Sequence, residues 1–197
     1  LSAGQYKPPI PYPLYWFCRL IVSLFFHSLF RIEIIGSEKI PDGSVILASN
    51  HINNLDPPLL GITTTRHLMF MAKAELFKYP ILSWGLKLLG GFPVRRGEND
   101  KNAMRYAIQI LQQGACLVIF PEGHRSMSGR LGKPMPGVGL IAKRSEAAIV
   151  PIAISGKYKI FHKITVRYGD PIFIEPSQSS QEIANKIMEN ISELLEK

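Results

Sequence analysis

The sequence predicts an α/β fold: a single domain with a mixed, largely parallel β-sheet flanked by helices, preceded by an apolar N-terminal helix. Three observations lead there. From residue 31 onward, short apolar runs rich in Val and Ile alternate with segments of helical period, the pattern of strand–helix units sharing one sheet. Several of these runs are apolar without alternation, as strands buried on both faces are. Residues 14–30, in contrast, form a 17-residue stretch with few polar positions.

That stretch follows a proline-punctuated opening (Pro8, Pro9, Pro11, Pro13). A helix that crosses a bilayer needs roughly 20 apolar residues, so this one is short. Arg19, Ser23 and His27 recur at four-residue spacing and share a helical face, and Tyr12, Tyr15 and Trp16 cluster at the start, as interfacial aromatics do. These features fit a membrane-associating helix lying in the interface better than one crossing it. They fit a buried core helix as well. The expected division is an N-terminal apolar membrane-associating segment over residues 1–30 and the α/β domain over 31–197.

Residues 32–35 and 45–48 read as strands, separated by a turn region at Gly36 and Pro41-Asp42-Gly43. Residues 57–64 read as a short helix and 67–72 as a third strand. Pro80 opens a helix over 81–89, where Leu82, Trp84, Leu86, Leu88 and Leu89 beside Lys78 and Lys87 make an apolar segment with basic edges, either core or a second membrane-facing surface. Residues 92–94 are a short strand. Residues 100–113 form a helix with Ala103, Ala107, Ile110 and Leu111 on one face and Gly114 as its stop. Residues 116–120 are a fully apolar, central strand. A helix over 138–145 and a buried strand over 148–154 follow, then late strands at 164–168 and 172–174. The last helix opens with a capping box, Ser179 and Glu182, and buries Ile183, Ile187, Ile191 and Leu194.

With 197 residues the chain can bury a sizeable core, and 46% hydrophobic against 19% charged residues excludes a disordered protein. Lys and Arg outnumber Asp and Glu 23 to 15, a net charge of +8. The expected partner is anionic: nucleic acid, acidic lipid or a phosphorylated substrate. No nucleic-acid motif or aromatic–basic interleaving supports the first of these. The two cysteines, Cys18 and Cys116, lie in apolar runs and offer neither a disulfide framework nor a metal cluster, so a reducing compartment is the default.

Three polar clusters begin where apolar strands stop. Ser49-Asn50-His51-Ile52-Asn53-Asn54-Leu55-Asp56-Pro57-Pro58 sets a His and an Asp five positions apart between strand and helix. Taken alone, Asp56 also reads as the N-cap of a helix that Pro57 opens, and His51 as a surface residue. Arg95-Arg96-Gly97 follows Val94, and Glu122-Gly123-His124-Arg125-Ser126 follows Phe120-Pro121. If these strands are parallel, all three clusters converge at the carboxyl edge of the sheet, where open α/β sheets bind ligands. Each cluster has a plainer reading too: Arg95 and Arg96 as a solvated pair, Glu122 as the salt-bridge partner of one of them, His124 as a loop residue.

The set limits the chemistry. A His is a competent base at neutral pH, and an oriented carboxylate fixes its tautomer. The chain has no G-x-S-x-G nucleophile elbow, no G-x-x-x-x-G-K-[ST] phosphate loop and no Cys paired with a base. The expected nucleophile is therefore a substrate hydroxyl that His51 deprotonates as it attacks an activated carbonyl. Arginine forks suit a phosphate, and Gly123 lets backbone N–H groups approach a ligand closely.

These residues resemble the glycerolipid acyltransferase family, in particular its 1-acylglycerol-3-phosphate (lysophosphatidic acid) acyltransferases. Asn50, His51 and Asp56 match its N-H-x4-D motif. Gly90-Gly91-Phe92-Pro93-Val94-Arg95-Arg96 is similar to its G-x-F-P-[VI]-x-R motif, with Arg96 as the motif arginine. Phe120-Pro121-Glu122-Gly123 and Arg125-Ser126 match F-P-E-G-T-R-S, with His124 in place of the usual Thr, a departure that bears on acceptor specificity. Val150-Pro151-Ile152-Ala153-Ile154 is similar to a V-P-[IV]-x-I strand, and Lys73-Ala74-Glu75-Leu76 to a segment before the second motif. Order and spacing agree from about residue 31 to 170.

The resemblance implies an acyltransferase domain on the cytoplasmic face of a membrane, in contact with anionic lipid. It implies His51 as general base, Asp56 as its orienting partner, and Arg96 with Glu122, Gly123 and Arg125 on the acceptor phosphate; Lys73 and Ser126 complete the implied substrate-binding set. The donor would be an acyl thioester on coenzyme A or acyl carrier protein, the acceptor lysophosphatidic acid and the product phosphatidic acid, with no metal or other cofactor. The alternatives are another acceptor, such as glycerol 3-phosphate, another lysophospholipid or a hydroxylated lipid, and a non-catalytic membrane-binding module.

Overall fold

The strand β2, Val45–Ser49, is buried at every position, because strands pair with it on both sides. Its neighbours are β5, Cys116–Ile119, and β6, Ala148–Gly156, both parallel to it. Around this trio the computed structural model, which describes residues 11–95, 100–126 and 130–197, builds a seven-stranded sheet. The other strands are β1 (Arg31–Ile35), β3 (Leu68–Lys73), β4 (Gly91–Val94) and β7 (Lys163–Tyr168), in the order β1-β7-β6-β2-β5-β3-β4. The block β6-β2-β5-β3-β4 is parallel throughout, whereas β7 returns antiparallel to β6 and carries β1 parallel to itself. The sheet is mixed and largely parallel, as its unalternating apolar runs predict, and the parallel block presents its carboxyl ends along one edge.

Helices cover both faces. Ile46 of β2 packs with Leu117, Ile149 and, from one layer, α4 (Lys101–Gln112), α5 (Gly137–Ser145) and α6 (Ser180–Glu196). Leu47, the next residue, points the other way, into a cluster with Phe26 of α1 (Tyr12–Leu29) and Leu59 and Leu60 of α2 (Asp56–Thr63). Successive side chains on opposite faces require an apolar residue at every position. Asp100 caps α4 by accepting the Ala103 N–H at 3.0 Å, and Ser179 with Glu182 forms the capping box of α6. Before β4, Gly90 has φ 88°, and a Cβ there would lie 2.1 Å from the Leu68 carbonyl oxygen, so only glycine fits this turn.

The sequence places a late strand at residues 172–174, and the structure reduces it to one antiparallel bridge between Ile149 and Ile172. In this antiparallel register Phe173 and Ile174 would face Ala148 and Ala147, and β6 starts only at Ala148, so the ladder has almost no strand to run along.

The apolar helix α1 is packed on one face and open on the other. Tyr15, Phe26 and the adjoining Phe30 are buried, while Leu14, Phe17, Leu20, Ile21, Leu24 and Phe25 are exposed. A fully buried core helix is therefore excluded. Of its polar stripe His27 is exposed, but Arg19 turns inward: it is half-buried and donates to the carbonyls of Gly61 (2.8 Å), Ile62 (2.9 Å) and Thr64 (2.7 Å). Those groups end α2, where helix carbonyls lack intrahelical partners and the dipole is negative. Nearby, the buried His67 ring lies 4.0 Å from the Tyr15 ring. Residues of α3 (Pro80–Leu88) are also divided, with Ile81, Leu82 and Trp84 exposed and Leu88 buried.

Burial lowers the pKa of His67 from 6.5 to about 4. The unfolded chain then binds a proton more readily than the folded one, so this contribution to stability is complete above pH 6.5 and is lost as pH falls towards 4. A His67→Phe variant should show a smaller drop in melting temperature between neutral and acid pH than the wild type in parallel thermal melts.

Candidate active site

The loop that leaves β2 is held in place by its own side chains. Asn50, buried, donates its amide to the Ile154 carbonyl at 2.9 Å and accepts the Ile154 N–H at 2.7 Å. A side-chain amide thus continues the β2–β6 pairing one step past the end of β2. His51 comes next, buried, with its ring stacked on Phe120 at 4.0 Å and 18°. Its Nδ1 lies 2.7 Å from Asp56 Oδ2. A carboxylate only accepts, so Nδ1 carries a proton, and in the neutral ring Nε2 has the lone pair.

Asp56 is fully buried. It is the first residue of α2, yet it makes no side-chain cap there. Its carboxylate turns back on the preceding loop instead: Oδ2 accepts the His51 Nδ1–H and the N–H groups of Ile52 and Asn53, each at 2.7 Å, and Oδ1 accepts the Tyr158 hydroxyl at 2.5 Å. Burial first, and then the Asp56 charge, push the Tyr158 phenol up, so it remains a donor. Sequence reasoning missed Tyr158, which is 102 residues from its partner; the one signal was its place four residues after the end of the V-P-I-A-I run.

The loop after β5 lies against this one. Glu122 is buried, and its Oε1 accepts the His51 N–H at 3.3 Å while Oε2 accepts the Gly132 N–H at 2.8 Å. Ser126 donates its N–H to the His51 carbonyl at 2.8 Å. The carboxylate of Glu122 therefore braces two loops. Gly123 turns with φ 71°, where a Cβ would meet Met135 Sδ at 2.4 Å. His124 is exposed and donates from Nδ1 to the Glu122 carbonyl at 2.7 Å.

Of the expected site residues, His51, Lys73 and Arg125 line one cavity and Gly123 another, while Asp56, Glu122 and Ser126 line neither of the two. One, about 460 Å³, is lined by His51, Lys73 and Arg125 together with apolar residues from α1, α2, β3 and α3, among them Val22, Phe70 and Leu86. The other, about 430 Å³, is lined by Arg95 and Gly123 with residues of α4 and α5, and Met71 lines both. Lys73 and Arg125 are exposed; Lys73 also lies 3.7 Å from Glu75 across half-exposed side chains, a pairing of little energetic weight. Arg96 lies outside the described residues. A buried His–Asp pair beside an apolar cavity with cationic side chains can take a proton from a hydroxyl held next to an apolar, anionic ligand.

A model of the Acyltransferase family matches residues 31–155. The chain belongs to this family. Among acyltransferases it is 30% identical over 150 residues to a chloroplastic 1-acyl-sn-glycerol-3-phosphate acyltransferase of Arabidopsis thaliana, covering 74% of this chain and 42% of that protein. It is 32% identical over 144 residues to a lyso-ornithine lipid O-acyltransferase of Pseudomonas aeruginosa, covering 72% and 52%. The chain thus spans about half the length of these relatives. The crystal structure of the 1-acyl-sn-glycerophosphate (LPA) acyltransferase PlsC from Thermotoga maritima superposes with a TM-score of 0.75 at 25% identity, over 93% of this chain and 77% of that one. The acyltransferase fold is thus common to both.

Glu122→Gln should test the bracing role. Both carboxylate oxygens accept backbone N–H groups, and an amide offers only one acceptor, leaving one donor facing another. The loss should be about 1–3 kcal/mol, read as a fall in melting temperature of roughly 2–12 °C.

Proposed function

We propose that this acyltransferase moves a fatty acyl group from a thioester, on coenzyme A or acyl carrier protein, to the 2-hydroxyl of 1-acylglycerol 3-phosphate, forming phosphatidic acid. The observation that carries the reading is the 2.7 Å His51–Asp56 bond beside an apolar cavity. Asp56 holds the Nδ1–H tautomer, so Nε2 accepts the proton of the acceptor hydroxyl as its oxygen attacks the thioester carbonyl. The new C–O bond forms, the C–S bond breaks, and the departing thiolate takes the proton back from the imidazolium. Phe120 sets the plane of the ring.

Lys73 and Arg125 line the same cavity as His51 and supply positive charge for the acceptor phosphate; the family motifs add Arg96, which lies outside the described residues, and Gly123, which lines the neighbouring cavity. Ser126 belongs to the same binding loop through its bond to His51. Glu122 serves as the brace that keeps this loop against His51; a carboxylate facing a phosphate would repel it. The apolar wall of the cavity, including Leu68, Phe70, Leu86 and Leu89, receives an acyl chain. No metal or other cofactor takes part.

Among the described residues no helix is long and apolar enough to cross a membrane. The exposed Phe17, Leu20 and Leu24 of α1 and Ile81 and Trp84 of α3 support a peripheral or monotopic seat on the cytoplasmic face, held also by the net charge of +8 against anionic lipid. In this reading residues 1–30 serve the membrane and 31–197 the transfer. A second acceptor has a specific observation in its favour: His124 stands where the family motif has Thr, and one relative is named for a lyso-ornithine lipid. Turnover of purified protein in detergent with lysophosphatidic acid, glycerol 3-phosphate and a lyso-ornithine lipid separates the acceptors.

His51→Ala should lower turnover about 10²–10⁴-fold with the melting temperature retained; near wild-type turnover would sink the general-base role. Asp56→Asn should keep the fold, because an amide can put its oxygen at the Oδ2 position and its NH₂ toward the Tyr158 oxygen. Turnover should still fall about 10²–10⁴-fold, because the orienting charge is gone. Arg125→Ala should mainly raise KM for the phosphorylated acceptor, and an unchanged KM would reassign this residue.

A further inference from the structure

The loop between β6 and β7, residues 157–162, joins two features. At its start Tyr158 reaches inward and donates to Asp56 Oδ1 at 2.5 Å. At its tip Ile160 and Phe161 are 57% and 68% exposed, next to the exposed Lys157 and Lys159. Phe161 has φ 62°, the left-handed region that a bulky side chain rarely adopts. Its N–H donates to the Leu29 carbonyl at 2.7 Å, and the Arg31 N–H donates to the His162 carbonyl at 3.0 Å. These two bonds clamp the loop to the end of α1.

The clamp gives the loop a direction. Leu29 lies one helical turn from the exposed Phe25, so the clamp ties the exposed tip to the helix that carries the open apolar face. The Tyr158 ring meets the buried Phe30 edge-on, at 5.7 Å and 84°. One chain of contacts therefore runs from the exposed tip and α1 through Leu29, Phe30 and Tyr158 to Asp56 and His51.

We propose that residues 157–162 are an interfacial element that docks on an anionic lipid surface and makes Tyr158 a positioning residue for Asp56. Ile160 and Phe161 enter the acyl region, and Lys157 and Lys159 meet the headgroups. The apolar tip, the single sign of the charges beside it and its continuity with α1 favour a lipid surface over a protein partner. Tyr158 acts through the carboxylate and does not touch substrate. The inference rests on the general-base reading of His51 and adds that seating on the membrane holds the carboxylate that orients this base.

The test uses the full chain with phosphatidylcholine vesicles, with and without phosphatidylglycerol. Phe161→Gly suits the positive φ, so with Ile160→Ser it removes the apolar tip without straining the loop. This pair should lower co-sedimentation with phosphatidylglycerol vesicles by about fivefold or more, and turnover of vesicle-borne lysophosphatidic acid with it. Detergent-dispersed acceptor should be turned over at the wild-type rate. Tyr158→Phe should bind vesicles as the wild type does and lower kcat about tenfold with KM little changed, the loss of a hydrogen bond to a charged group. On vesicles, the combined Tyr158→Phe, Phe161→Gly variant should lose less than the product of the single losses. Wild-type vesicle binding without the tip, or wild-type kcat in Tyr158→Phe, overturns the proposal. An active His51→Ala would instead overturn the reading beneath it.

Discussion

A full negative charge taken out of water is the constraint around which this site is built. Asp56 has no exposed surface, and among the described residues its ion-pair partner is His51. Burying a carboxylate costs several kcal/mol unless donors replace its water. Here the donors are an imidazole N–H, the N–H groups of Ile52 and Asn53, and a phenol. Three of the four come from the turn that the carboxylate itself closes, so the loop and the charge hold each other in place. The fourth, Tyr158, is available because β2 and β6 are parallel neighbours, which brings the residues after each strand to the same edge. His51 gains a defined tautomer from this arrangement, and Glu122 secures the backbone on its other side.

The open side of α1 shows a similar inversion of polarity. In water-soluble helices the polar stripe faces out; in α1 Arg19 faces in, against the carbonyls that end α2, and Phe17, Leu20 and Leu24 face out. Exposed apolar surface on this scale marks a contact that the chain alone does not provide. The cavity beside His51 is lined by both α1 and α3, the elements with this exposed apolar surface.

The Phe120–Arg125 segment does two jobs. Phe120 stacks on the His51 ring, and Gly123 and Arg125 line different cavities on its two sides. Gly123 can make the turn because φ 71° suits glycine. The carboxylate next to it accepts the backbone N–H groups of His51 and Gly132.

The sequence by itself determined the α/β class, nearly every strand and helix, and the loops that carry the candidate site residues. Those rest on local periodicity and on turn and cap residues, which act within a few positions of themselves. It placed His51 and Asp56 together for the same reason, since five residues separate them. The direction in which Arg19 points, the inward turn of Asp56 away from its helix, the bracing by Glu122 and the arrival of Tyr158 were decided only by the tertiary structure. Each depends on a donor or acceptor dozens of residues away, and which distant groups meet is set by strand order and register. The shortened strand at Ile172 follows the same rule, because its extent depends on where the neighbouring strand β6 begins.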